Sequence, residues 1–161
     1  MRIRQDNMAV SVRDGSINDY RKMGVVVENI YDFLGRPAIT TLPGVTEPGF
    51  WYKADYNQDM SGNKYSYLNF DFDTPVDGKC YSESQGMGTT RGASMYYSAA
   101  NPDQTGAQSR LADAQHFPFT RVIYEADNAS RPKMRSGAGI DHRIGSGHET
   151  QYVYGNPSQE D

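Results

Sequence analysis

Apolar and polar positions alternate in short runs along this chain, and no run keeps a 3.6-residue period for three turns. Short alternation bounded by glycine and proline is the pattern of half-buried strands. GVVVENIYDF at 24–33 is β-branched and closes on aromatics, which predicts a strand. LGRP follows as a turn, where Gly35 can take positive φ at little cost and Pro37 fixes the exit. AITTL at 38–42 is the return strand, ended by PGVTEPG. FWYKADYN at 50–57 and KYSYLNFDFD at 64–73 read as a further pair of strands. In the second, Tyr65 and Tyr67 fall on one face and Leu68, Phe70 and Phe72 on the other, a slip that a β-bulge or two-sided burial would produce.

GASMYYSAANP at 92–102 predicts a short strand running into a turn. The stretch 101–116 is a polar loop with a helical turn at 110–114, FPFTRVIYEADN at 117–128 returns to strand, and TQYVYG at 150–155 is a last strand after a glycine-rich loop. Residues 1–23 are mixed and polar, expected to be poorly ordered or weakly β, ahead of a β-rich segment at 24–161. The fold class is all-β: antiparallel hairpins, long polar loops and little helix.

Composition sharpens this picture. Val, Ile, Leu and Phe number 26 of 161 residues, too few for a thick helical core, while 12 tyrosines supply ring area that wants its hydroxyls near water or a partner. With 16 Gly and 8 Pro, that balance suits a thin sheet with one wet face. The net charge of −4 argues against nucleic acid as a partner. The single cysteine, Cys80, cannot form an internal disulfide. The N-terminus lacks the apolar stretch of a signal peptide, and no apolar run approaches the length of a membrane helix. Both ends read as cut from something longer.

Candidate chemistry is thin. DYNQDMSGN places Asp55, Asn57, Asp59 and Ser61 at alternate positions, as oxygen-ligand calcium loops begin, but Met60 and Ser66 stand where such a loop needs Gly and Glu. A solvated turn is the competing reading. His116, His142 and His148 match no zinc spacing, and no serine sits in a nucleophile elbow. GAGIDHRIGSGHET lacks the lysine of a phosphate loop. Arg131, Lys133, Arg135, His142 and Arg143 form a basic cluster that suits either an anionic glycan or pairing with Asp127, Asp141 and Glu149. Trp51 and exposed tyrosines are a possible sugar-stacking set, though the same rings are needed for the core. The balance is non-catalytic, with no cofactor implied.

Two stretches match each other. IYDFLGRPAITT at 30–41 and IYEADNASRPKMRS at 123–136 both run Ile-Tyr-acid, a turn with a small residue, then Arg-Pro and an onward strand. Tyr31, Asp32, Gly35 and Arg36 of the first correspond to Tyr124, Glu125, Ser130 and Arg131 of the second, which carries two extra turn residues. The arginine stem can cover the tyrosine while its guanidinium pairs with the acid. Tyr31-Asp32-x-x-Gly35-Arg36 resembles the tyrosine–aspartate (YD) repeat of Rhs-type proteins. The stretches 92–102 and 117–159 resemble a segment near the start of the repeat shell in Bacteroidetes-type members, so the likeness covers roughly residues 24–161.

The resemblance implies a structural role in a large secreted or surface-displayed polypeptide, whose hairpins form a β shell around a variable C-terminal toxin or effector. The partner it implies is the remainder of that polypeptide, which would supply missing neighbouring strands. A stand-alone β-sandwich that binds glycans or acts as an adhesin is the alternative.

Overall fold

The computed structural model describes residues 2–13, 20–71, 83–104, 106–127 and 129–155. It is an all-β fold with little helix. Strands β1 (Ile3–Arg13), β2 (Tyr20–Tyr31), β3 (Pro37–Thr41), β4 (Gly44–Thr46), β5 (Phe119–Tyr124), β6 (Pro132–Arg135) and β7 (Thr150–Gln151) form one sheet. Its order is β1-β2-β3-β5-β6-β7, every neighbour antiparallel, with β4 paired to Gly24–Val26 in the middle of β2.

Period two shapes β2. Gly24, Val26, Glu28 and Ile30 are buried, and Val25, Val27 and Asn29 lie between them on the half-exposed face. Ile30 and Ile39 meet across the β2–β3 hairpin, both fully buried. With Ala38, Tyr65, Phe70, Met87, Phe117 and Phe119 they form the core. The connection from β4 to β5 supplies Tyr65, Phe70, Met87 and Phe117, so its described parts around these residues pack over the sheet as a second layer. Tyr65 buries its ring among phenylalanines and donates its hydroxyl to the Gln85 carbonyl at 2.6 Å.

Several elements differ from the sequence reading. Of the first 23 residues, expected to be poorly ordered or weakly β, the described ones at 3–13 and 20–23 lie in β1 and β2, and the boundary at 24 falls inside β2. Pairing with β2 along its length holds β1 despite its polar sequence, and Gln5 is bonded to Glu28 across the pair. The segments 50–57 and 64–71 are not strands; Phe72 and Asp73 lie outside the described residues. Side-chain oxygens take the backbone there: Asp59 Oδ1 accepts from the N–H groups of Ser61 and Asn63, both at 2.9 Å, and only isolated bridges at Gln58–Lys64 and Asp59–Met87 remain. The slip at Tyr67–Leu68 is a 3₁₀ turn, Tyr67–Asn69, with Ser66 N–H bonded to Asn69 Oδ1 at 2.8 Å.

GASMY at 92–96 is not a strand but a five-residue helix, α1 (Gly92–Tyr96). Asn57, from outside the helix, accepts the Ala93 N–H at 2.9 Å and so caps its start. The helical turn expected at 110–114 lies earlier, as a 3₁₀ turn at Gly106–Arg110. The last strand is only Thr150–Gln151. Cys80 lies outside the described residues.

Candidate functional site

The two motif copies fall on hairpins of one design. In β2–β3, Ile30 pairs with Ile39 and Tyr31 with Pro37, leaving Ala38 as a bulge; in β5–β6, Ile123 pairs with Met134 and Tyr124 with Pro132, leaving Lys133. Gly35 has φ 79° and Ser130 φ 52°, so the residue before each arginine is left-handed. The backbone closes both turns alike, Asp32 N–H to the Arg36 carbonyl at 2.9 Å and Glu125 N–H to the Arg131 carbonyl at 2.8 Å.

Each arginine pairs with the acid four residues before it. Arg36 Nε donates to Asp32 Oδ2 at 2.7 Å, and Arg131 Nε to Asp127 Oδ2 at 2.8 Å. In the second copy the acid is therefore Asp127. Glu125, assigned from its place beside the tyrosine, matches Asp32 in its backbone bond only. The two extra residues separate the tyrosine from the acid, and the acid-to-arginine spacing of four stays fixed. That spacing was the available signal. The Arg131 bond holds the Asp127 carboxyl below its usual range.

The arginines do not cover their own tyrosines. Arg36 lies over Tyr124, 4.6 Å from the ring centroid, and Arg131 over Tyr154 at 4.7 Å; Arg2 lies over Tyr31 at 4.7 Å. Strand pairing dictates this. The registers Ile3–Ile30, Ile39–Arg121 and Met134–Gln151, carried to the strand ends, set Arg2 opposite Tyr31, Arg36 opposite Tyr124 and Arg131 opposite Tyr154. Two tyrosines answer with their hydroxyls, Tyr124 to the Pro37 carbonyl at 2.7 Å and Tyr154 to the Pro132 carbonyl at 2.8 Å. The result is a ladder of tyrosine–arginine rungs along one end of the sheet, each arginine reaching to the next unit. Tyr154 and Arg2 were missing from the sequence reading because the partner of each lies across a strand pair.

Three residues before Tyr31 and Tyr124, a charged side chain points into the core. Glu28 is buried and held by Gln5 Nε2 and, at 2.7 Å, by Asn57 Nδ2; its own N–H donates to Thr41 Oγ1 at 2.9 Å. Burial pushes its carboxyl up, and the two amides together with the Lys64 charge pull it back. Arg121, also buried, donates through its guanidinium to the Phe70 carbonyl and to Ser84 Oγ. Each fastens the covering loops to the sheet.

The remaining candidates scatter. Asn57 is turned inward to Glu28 and α1, away from Asp59, whose carboxylate closes its own turn. His116 Nδ1 meets the Met87 carbonyl and His148 Nδ1 the Asp141 carbonyl, while His142 and His148 stand edge to face at 5.8 Å. Among the described residues no three His, Cys, Asp or Glu converge on a point, and no helix is long and apolar enough to cross a membrane. Of the basic cluster, Arg131 belongs to the ladder and Arg143 lies over Phe117, 5.6 Å from its centroid. Phe50, Trp51 and Tyr52 are exposed, with the Lys53 and Lys64 amines over the last two rings. No protein-family profile, curated protein or solved structure matches the chain.

Proposed function

We propose that this chain is a non-catalytic structural segment of an Rhs/YD-repeat-type protein, adding hairpins to a continuous β sheet. The observation that carries the reading is the ladder. Two hairpins share one bulged register, and the arginine of each lies over the tyrosine that follows. A unit that binds forward is an element of an array, since stability then passes from neighbour to neighbour. The buried carboxylate and guanidinium are spent on holding loops to the sheet, which favours architecture over chemistry. The resemblance adds the larger setting: a secreted or surface polypeptide whose shell encloses a C-terminal toxin or effector, with its own neighbouring repeats as the partner of this segment.

Sequencing the coding DNA on both sides tests it. In-frame continuation into further tyrosine–arginine units is expected; a start and a stop codon immediately flanking this frame would refute the reading. The exposed run Phe50-Trp51-Tyr52 favours a second reading, a glycan-binding or adhesin module, because exposed aromatic side chains suit sugar stacking. A glycan array on which Trp51→Ala binds as the parent does, or on which neither binds, removes it.

A further inference from the structure

The connection between β6 and β7 winds back on itself and brings two imidazoles together. His142 ends the 3₁₀ turn Ile140–His142, and Gly139 just before it, at φ 93°, donates its N–H to the Phe117 carbonyl at 2.7 Å. Both flanks of His142 are fixed to the core: Ile140 packs against the cluster that holds Phe117 and Phe119, and Ile144 is buried. Gly145 at φ 91° and Gly147 at φ 86° then reverse the chain. Ser146 fastens the reversal, its N–H and its hydroxyl donating to the Arg143 carbonyl at 3.1 and 2.7 Å. None of these contacts uses an imidazole.

The reversal returns His148 to the turn. Its Nδ1 lies 2.8 Å from the Asp141 carbonyl, and because a carbonyl only accepts, Nδ1 carries the proton. The neutral ring therefore keeps the Nε2 lone pair free, as a metal-ligating histidine does. His142 packs against Gly137, where a Cβ would stand 3.0 Å from the histidine Cβ and 3.4 Å from its Cγ. Its exposed ring makes no hydrogen bond to the described residues, so it is free to turn a nitrogen toward His148. The ring centroids are 5.8 Å apart and the planes 71° apart. An ion about 2.0–2.1 Å from an imidazole nitrogen lies about 3.2 Å from the ring centroid, so two rings on one ion have centroids about 4.5–6.4 Å apart. The observed separation falls inside that window. A spacing of six fits neither a helix nor a finger; here the two glycines close it.

We infer that His142 and His148 form a two-imidazole site for a divalent late transition-metal ion, Ni²⁺, Cu²⁺ or Zn²⁺, with water in the remaining positions. Imidazole selects these ions over Mg²⁺ and Ca²⁺, which prefer oxygen. Among the described residues no third His, Cys, Asp or Glu joins the pair, and both rings are exposed, so the ion is held at the surface and exchanges with solvent. The site shares no residue with the tyrosine–arginine ladder and stands apart from the repeat reading.

Titrating the chain with Ni²⁺ while recording the histidine ring signals by NMR tests this, because the paramagnetic ion broadens the rings it touches. The His142 and His148 signals are expected to broaden together, at lower Ni²⁺ than His116, and Mg²⁺ at the same concentrations is expected to leave all three unchanged. Loss of an outer-shell partner alone costs about 10–100-fold in metal affinity, so His142→Ala and His148→Ala should each weaken binding at the remaining ring by at least about tenfold. His116→Ala should leave binding at the pair unchanged. Broadening of His116 at the same Ni²⁺ as the pair, broadening of only one ring of the pair, or an affinity unchanged in either loop variant would overturn the inference. So would the same response to Mg²⁺, which would assign the site to carboxylates. The wild-type spectra locate the ion by themselves, so the test stands even where a variant fails to fold.

Discussion

Arg36 lies 4.6 Å from the ring centroid of Tyr124, and the Tyr124 hydroxyl donates at 2.7 Å to the carbonyl of Pro37, the residue after that arginine. One rung thus joins two hairpins by stacking and by a hydrogen bond, while Arg36 Nη1 adds a 3.3 Å bond to the Glu125 carbonyl.

Burial ranks the rungs. The Arg36 and Asp32 side chains are 19% and 7% exposed, so Arg36→Ala is expected to cost about 1.5–3 kcal/mol in urea unfolding, the range for hydrogen bonds to charged groups. Arg36→Lys keeps the charge but not the fork and should recover less than half of that. Tyr124→Phe, losing one bond, should cost about 1 kcal/mol. The Arg131–Asp127 pair is 48% and 33% exposed, and Arg131→Ala should cost much less than Arg36→Ala. Equal losses at both arginines would show that burial does not rank them.

Glu28 gives a pH signature. Its carboxyl is raised by burial, so the folded protein holds that proton more tightly than the unfolded chain does. The stability it contributes is full below the ordinary carboxyl range and is lost as pH rises through the raised value. In Glu28→Gln this dependence disappears, but the amide meets two donors that cannot turn away. The Gln5 Oε1 accepts from Lys53 N–H at 2.7 Å, and the Asn57 Oδ1 from Ala93 N–H at 2.9 Å. The variant is expected to be less stable by about 1–3 kcal/mol in mild acid, the cost of an unsatisfied buried polar group, with the gap narrowing as pH rises. Denaturant titrations of both proteins from pH 4 to 8 check the sign.

The residues before Tyr31 and Tyr154 should respond very differently. Ile30→Ala opens a cavity in the core and is expected to cost about 2–5 kcal/mol. Val153→Ala should stay within about 0.5 kcal/mol, because its side chain is already in water. Thermal unfolding of the two variants at low concentration decides it.

Backbone conformation gives a graded set. Ser130→Gly, at φ 52°, should stabilise by up to about 1–2 kcal/mol by relieving a left-handed L-residue. Gly35→Ala, at φ 79° with open space around it, should cost a similar amount. Gly92→Ala should cost more than either, because its Cβ would also run into the Tyr56 carbonyl and Asn57 Oδ1. Urea midpoints of the three variants give the order, and a Gly92→Ala as mild as Gly35→Ala would contradict it.

The sequence by itself determined the all-β class, the strands β2, β3 and β5, the turn through Gly35 and the likeness between the two hairpins. These are local matters: alternation follows from the strand period, and turns from which residues tolerate positive φ. Tertiary structure alone decided that Arg36 covers Tyr124 rather than Tyr31, because the order of strands in the sheet chooses its neighbour. It decided that Asp127 takes the acid's place, that Glu28 and Arg121 turn inward to hold covering loops, and that β-prone 50–57 and 64–71 become turns. Strand propensity expresses itself only where a partner strand is within reach, and partners distant in sequence are set by the packing of the whole chain.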